Sequence, residues 1–346
     1  MSRGQVDRDC QRFVDEVCAA SARLRAEAGG TPDLPRMRAI AEQVRAPWRR
    51  GGPEVSAQDF EIPLAGDACR VRVYRPADLV SPAPMLLYLH GGGWTMFSVD
   101  THDRLMREYA AQARVVVVGI DYALAPEHPY PLALQQCLAA VAWLCGSADT
   151  LGVDPTRLAL GGDSAGANLA LSTALLLREV EPFPGPRALL LNYGAFDTEM
   201  SAQAQRDLGG GDAMLTAAEM NTFWRHYLGA SVVARRDVLA QPLRAALHGL
   251  PPACVIAAGR DVLCEQSEAL HARLRDAGVH SELKRYDNAP HSFLEAMSIS
   301  ALARRAIADG ATFLAGRLHA DAGAVAAAAE AERVAEGQPL RERDAS

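Results

Sequence analysis

The stretch Leu158-Ala159-Leu160-Gly161-Gly162-Asp163-Ser164-Ala165-Gly166-Ala167-Asn168-Leu169 constrains the fold more than any other part of the chain. It carries Gly-x-Ser-x-Gly at Gly162, Ser164 and Gly166, with a short apolar run before it and a helical pattern after it. The spacing alone is a weak signal. Its setting sharpens it, because a strand that turns sharply into a helix lifts the serine hydroxyl clear of the sheet. Side chains at the flanking positions would collide with so tight a turn, so glycines are required there. The serine also lands at a helix N-terminus, whose dipole favours developing negative charge. The plain alternative is a serine that only caps a helix between small residues.

The rest of the chain supplies the sheet such a turn needs. Asp59–Leu64 and Cys69–Tyr74 alternate apolar and polar residues, as half-buried antiparallel strands do. Met85–Leu89, Val115–Ile120, Leu158–Leu160, Ala188–Leu191 and Ala253–Ala257 are short continuous apolar runs, which suit strands buried on both faces. Ser281–Tyr286 adds a last strand. Helical patterns at Arg104–Gln112, Leu132–Leu144, Ala165–Arg178, Glu265–Ala277 and Ala301–Leu318 separate these strands, so the fold class is α/β with a mostly parallel sheet. Residues 1–50 read as amphipathic helices broken by Gly29-Gly30 and Pro32. Residues 196–244 interrupt the alternation with a long helical insertion bearing Phe223, Trp224 and Tyr227. The insertion and the N-terminal helices are expected to form a cap over a catalytic domain spanning 51–318. The tail, residues 319–346, is rich in Ala, Glu and Arg and reads as a lone surface helix or as disordered.

A second motif, His90-Gly91-Gly92-Gly93-Trp94, directly follows the apolar run MLLYL. Three glycines there bare backbone N–H groups, the donors an oxyanion needs in acyl transfer. The expected donors are the amides of Gly91 and Gly92, with that of Ala165. A phosphate loop would want Lys-Ser/Thr next, and none follows. A serine nucleophile also needs a base. Of nine histidines, His291 is placed best, in a loop after the last strand. His90 belongs to the glycine loop. His102, His226, His271 and His319 sit on helical patterns, and His128 lies in a proline-rich turn. The acid that orients the imidazole is expected on the preceding strand-to-helix loop, where Asp261 follows Val255-Ile256-Ala257-Ala258-Gly259-Arg260. Ser, acid, His is the order this architecture uses. Glu265 is the reserve acid, Asp287 is closer to His291 but in a turn, and Asp261 could instead cap the next helix.

Composition narrows the partners. A net charge of −7 disfavours nucleic acid, which wants a basic surface. Arg235-Arg236 and Arg304-Arg305 read as solvated charges. No run approaches the roughly 18 apolar residues of a membrane span, and MSRGQVDRDCQRF lacks the apolar stretch of a secretory signal. The seven cysteines are scattered and form no CxxC pair, so they read as reduced thiols of a cytoplasmic protein with no zinc site.

The motifs HGGGW, Asp121-Tyr122-Ala123-Leu124-Ala125-Pro126-Glu127-His128-Pro129-Tyr130-Pro131, GDSAGANLA, and then Asp261 and His291, together resemble the hormone-sensitive-lipase family of α/β-hydrolase esterases. The bacterial acetyl-esterase branch is the most similar, through Val99-Asp100-Thr101-His102-Asp103-Arg104-Leu105-Met106-Arg107 and Gly209–Leu228. The resemblance covers about residues 50–318. It implies an eight-stranded, mostly parallel sheet with helices on both faces and a helical cap. It also implies a Ser164–His291–Asp261 triad, an oxyanion hole from Gly91, Gly92 and Ala165, short acyl chains and no cofactor. The DYALAPEHPYP stretch then braces the loops near the site, and the strand at Ser281–Tyr286 could pair two copies into a homodimer. The chain departs from the family's pattern at Val262-Leu263-Cys264, usually Pro-Leu after the acid, and at Ser292-Phe293, usually Gly-Phe after the histidine.

The expected chemistry is ester hydrolysis through an acyl-enzyme. Trp94, Phe97, Phe196, Phe223 and Trp224 would shape the substrate pocket, or equally form plain cap core. A lactone or amide hydrolase with the same triad is the nearest alternative. A non-catalytic small-molecule binding protein on the same fold is the alternative of another class.

Overall fold

The structure is a computed structural model, and it describes residues 5–65, 67–180 and 185–320. Two helices come first, α1 (Arg8–Glu27) and α2 (Leu34–Arg45). Asp7 and Asp33 cap them, each side chain accepting a first-turn amide, and Gly29 and Gly30 turn the chain between them at positive φ. There follow β1 (Ser56–Leu64), β2 (Asp67–Arg75), β3 (Ala83–Leu89), α3 (Asp103–Ala113), β4 (Val116–Ile120), α4 (Leu132–Gly146) and α5 (Ala148–Leu151). The nucleophile motif joins β5 (Val153–Asp163) to α6 (Ala165–Glu179). Then come β6 (Ala188–Asn192), α7 (Ala202–Leu208), α8 (Ala217–Leu228), β7 (Ala253–Arg260), α9 (Cys264–Asp276), β8 (Ser281–Pro290) and α10 (Ala301–Leu318).

The strands form one eight-stranded sheet in the order β1-β2-β4-β3-β5-β6-β7-β8. β1 pairs with β2, and β2 with β4, antiparallel; every other pairing is parallel. The continuous apolar runs are the buried central strands, and period-two alternation divides their side chains between two cores. Met85, Leu87 and Leu89 face the core covered by α4, α6 and α9. Leu86 and Tyr88 face the core covered by α3 and α10, which α1 also joins. The expected mostly parallel sheet with helices on both faces is therefore the one observed. α6 is apolar nearly all round and is buried along most of its length, as a central helix must be. Each Leu-sized side chain it buries stabilises the fold by roughly 1.5–3 kcal/mol.

The long insertion between β6 and β7 holds α7, α8 and two short 3-10 turns, Ala234–Arg236 and Pro242–Arg244. No described helix is long and apolar enough to cross a membrane. Most of the Ala/Glu/Arg-rich tail, residues 321–346, lies outside the described residues.

Candidate active site

The site gathers at the carboxyl ends of β3, β5, β7 and β8, where an open α/β sheet presents its loops. Ser164 occupies the turn between β5 and α6 with φ +53° and ψ −118°, a conformation that costs a non-glycine residue about 1–3 kcal/mol. Its neighbours explain the glycines. A Cβ on Gly162 would lie 2.5 Å from the Leu89 carbonyl oxygen, and one on Gly166 only 1.9 Å from it. β3 and the turn are thus in direct backbone contact, and side chains at either position would push them apart.

The Ser164 hydroxyl lies 3.0 Å from Nε2 of His291. Nδ1 of His291 lies 2.6 Å from Oδ2 of Asp261. The other carboxylate oxygen of Asp261 accepts the amide of Leu263 at 3.0 Å. That bond stays within the loop before α9, whose N-cap is Leu263 with no side-chain capping bond, so Asp261 faces the imidazole and does not cap the helix. Burial alone would pull the His291 pKa down. The charge and hydrogen bond of Asp261 outweigh it, with smaller help from Asp163 and Glu295, and the imidazole sits above its ordinary value. Tyr193 packs edge-on against the ring at 5.1 Å. The reserve acid Glu265 is exposed on α9, and Asp287 is exposed and paired with Arg285, so neither reaches the imidazole.

The glycine loop differs from expectation by one residue. The Gly91 amide is already engaged, donating to Oδ1 of Asp163 at 3.2 Å; Nε2 of His102, which donates to the same carboxylate, lies beside it. The amides of Gly92, Gly93 and Ala165 donate to no protein acceptor among the described residues. The free donors of the loop are thus Gly92 and Gly93, not Gly91 and Gly92. The cause is Asp163, which draws the first amide inward. His90 is buried, stacks on Tyr122 at 4.2 Å and bonds the Gly91 carbonyl through Nδ1; burial pulls its pKa down to about 4. It shapes the loop. Arg38 of α2 braces the loop from outside, donating to the carbonyls of Thr95 and Ala125 and pairing with Glu127, which ties in the DYALAPEHPYP stretch.

Asp163 and His102 form a buried pair behind the loop. Burial opposes the charged form of each, yet the Asp163 pKa is lowered and that of His102 raised, each by the other's charge. Nδ1 of His102 lies 2.9 Å from Thr101 Oγ1. That hydroxyl donates to the Ser98 carbonyl and so accepts from the ring. A second buried pair joins Arg45 of α2 to Glu295, one turn beyond His291, at 2.8 Å. The Arg45 guanidinium also covers the Phe97 ring at 4.7 Å. The helical position of His102 reads as a surface or core residue, and the partners of Arg45 lie too far off in sequence to be read.

A cavity of about 330 Å³ opens from Ser164 and His291. Gly92 and Gly93 line one wall, α1 and α2 a second, and the loop before α8 with α8 itself a third. Of the five aromatic residues singled out in the sequence, Phe97 and Phe223 line it, and Phe223 lies directly over Gly93. Trp94, Phe196 and Trp224 do not. Trp94 is fully buried, stacked on Tyr227 at 4.2 Å and against Trp224 at 4.5 Å, and Phe196 is fully buried in the same core. These three hold the insertion to the sheet, which is the core role weighed for them.

Comparisons with known proteins bear on the family and the fold. A family model described as alpha/beta hydrolase fold matches residues 86–295. The carboxylic ester hydrolase LipN of Mycobacterium tuberculosis is 37% identical over 263 residues, covering 75% of this chain and 68% of that protein. A hyperthermophilic esterase from the archaeon Pyrobaculum calidifontis superposes with a TM-score of 0.82 at 30% identity, over 90% of this chain and 99% of that one. A thermostable esterase from Pseudomonas putida gives 0.83 at 30% identity, over 93% and 100%.

Proposed function

The chain belongs to the α/β-hydrolase family, among its hormone-sensitive-lipase-like carboxylic ester hydrolases, and we propose on that footing that it cleaves short-chain acyl esters, acetyl to about hexanoyl, through an acyl-enzyme on Ser164. The observation that carries this reading is the run of contacts from Asp261 to His291 to Ser164, opening beside the free amides of Gly92, Gly93 and Ala165. Ser164 Oγ attacks the ester carbonyl as His291 Nε2 takes its proton. Asp261 holds the imidazole and stabilises its charged form. The carbonyl oxygen, now negative, is held by the three amides, each worth on the order of 10²–10³ in rate. The imidazolium gives its proton to the leaving alkoxide, and the acyl group stays on Ser164. Water then attacks the acyl-serine with His291 as base, releasing the acid and restoring the hydroxyl.

The short-chain reading is supported by the cavity, whose 330 Å³ lies at the small end of ligand sites, typically about 300–1,000 Å³. Seven free cysteines support a reducing, cytoplasmic setting. The helical regions 1–50 and 196–244 act together as the cap of the 51–318 catalytic domain, a reading supported by their shared walls around the cavity. β8 is an edge strand, which supports pairing of two copies into a homodimer; a strict monomer in light scattering removes that part.

The test is hydrolysis of nitrophenyl esters from C2 to C12, with Ser164→Ala alongside. Turnover concentrated at about C2–C6 and abolished by the substitution supports the reading. Activity rising toward C12 overturns the short-chain part. Inactivity with every ester shifts the reading to lactones, amides or a binding role.

A further inference from the structure

Four of the 25 residues that line the catalytic cavity are methionine, against nine in the 346-residue chain. They do not come from one patch. Met37 lies on α2, Met96 follows the glycine loop, Met214 lies in the loop before α8, and Met220 lies on α8. Each of the three walls therefore contributes at least one thioether. Three of the four are half-buried, so their side chains border open space; Met220 is fully packed behind them. Unbranched side chains with three rotatable bonds and a polarizable sulfur re-pack cheaply around differing shapes, whereas β-branched ones are stiff at χ1 and Leu has one rotatable bond fewer and no sulfur. A wall of this kind is a device for tolerance rather than selection.

We propose that the methionine lining makes the cavity adaptable, so that the enzyme takes esters of small carboxylic acids of differing shape, linear, branched and alicyclic, with similar efficiency. The inference rests on the esterase reading above. A stiff apolar pocket separates substrates that differ by a single methylene by about 10–200-fold. Here the spread among acyl shapes of four to seven carbons is expected to stay below about tenfold.

The experiment compares kcat/KM for nitrophenyl butyrate, isobutyrate, 2-methylbutyrate and cyclohexanecarboxylate, each divided by that ester's own rate of alkaline hydrolysis. The full-length protein is set beside the variant with Met37→Leu, Met96→Leu, Met214→Leu and Met220→Leu. Such swaps nearly conserve volume, and the half-buried single variants Met37→Leu and Met214→Leu serve if the fourfold one does not fold. The readout is the ratio among esters. A spread below about tenfold in the wild type that widens at least tenfold in the fourfold variant, or widens measurably in the singles, supports the proposal. Turnover of butyrate with the branched and ring esters disfavoured more than a hundredfold overturns it, as does a spread the leucines leave unchanged. Inactivity with all four esters would instead remove the esterase reading itself.

Discussion

Asp163, the residue before the serine, accepts the backbone amide of Gly91 at 3.2 Å, so the nucleophile turn and the glycine loop share one buried carboxylate. The same carboxylate accepts the Tyr88 hydroxyl at 3.0 Å and pairs with His102. A change in its position would move the free amides of Gly92 and Gly93 relative to Ser164. Asp163→Ala leaves three donors, one of them charged, without an acceptor. Loss of one member of a buried pair costs about 3–5 kcal/mol, and that loss is expected in urea unfolding. His102→Gln, which keeps a donor but loses the charge, is expected to lower kcat about tenfold or more through the oxyanion donors. Unchanged unfolding in the first variant together with unchanged kcat in the second would show that the shared carboxylate is inert.

Two glycines of the loop should respond differently to the same substitution. At Gly93 an added Cβ would meet the Phe223 ring at 2.3 Å, and its φ of +59° is one that other residues adopt at moderate cost. At Gly92 the Cβ would meet the Met96 carbonyl oxygen at 2.2 Å with φ +115°, so the obstacle is backbone. Gly93→Ala is expected to lose on the order of 10²–10³ in kcat, by displacing one oxyanion donor, and to regain part of it when Phe223→Ala makes room. Gly92→Ala should lose as much and regain nothing in the same background. Kinetics of the four variants on nitrophenyl butyrate decide it, and equal rescue at both positions would contradict the packing argument.

The pH profile follows from the surroundings of His291. Burial pulls its pKa down, but Asp261, Asp163 and Glu295 together raise it above the ordinary imidazole value. The base works only when neutral. Activity is therefore lost as pH falls through that raised value, and the acid limb of kcat/KM lies above the ordinary imidazole range. Asp261→Asn removes the largest of the raising influences, so the limb should move to lower pH while kcat falls by about 10⁴. A limb that stays in place would mean that another group sets it.

Much of this site could be read from residue order, and the reason is local. Ser164 needs its glycines at fixed offsets in one turn, and Asp261 and His291 each follow a recognisable strand. The offset within the glycine loop was not legible, because which amide stays free depends on where a carboxylate 72 residues away reaches. The aromatic residues were half legible for the same reason. Phe97 and Phe223 differ from Trp94, Phe196 and Trp224 only in what lies against them. The N-terminal helices read as part of a cap, but which residues of α1 and α2 wall the cavity was not legible, since an amphipathic helix shows that it packs and not upon what.

The pair of Arg45 and Glu295, 250 residues apart, gives the last test. Both side chains are more than nine-tenths buried, and the bond ties α2 to the turn that follows His291. Breaking such a pair differs in kind from replacing it. Arg45→Met leaves the Glu295 carboxylate buried and uncompensated, which should cost about 3–5 kcal/mol in urea unfolding. Arg45→Met with Glu295→Met removes both charges and fills a similar volume, so stability should return to within about 1 kcal/mol of the wild type or exceed it. A single variant as stable as the wild type would show that Glu295 finds another partner or takes up a proton. In that case α2 is held to the catalytic loop by apolar packing and by Arg38 on the glycine loop, and the double variant should then add nothing.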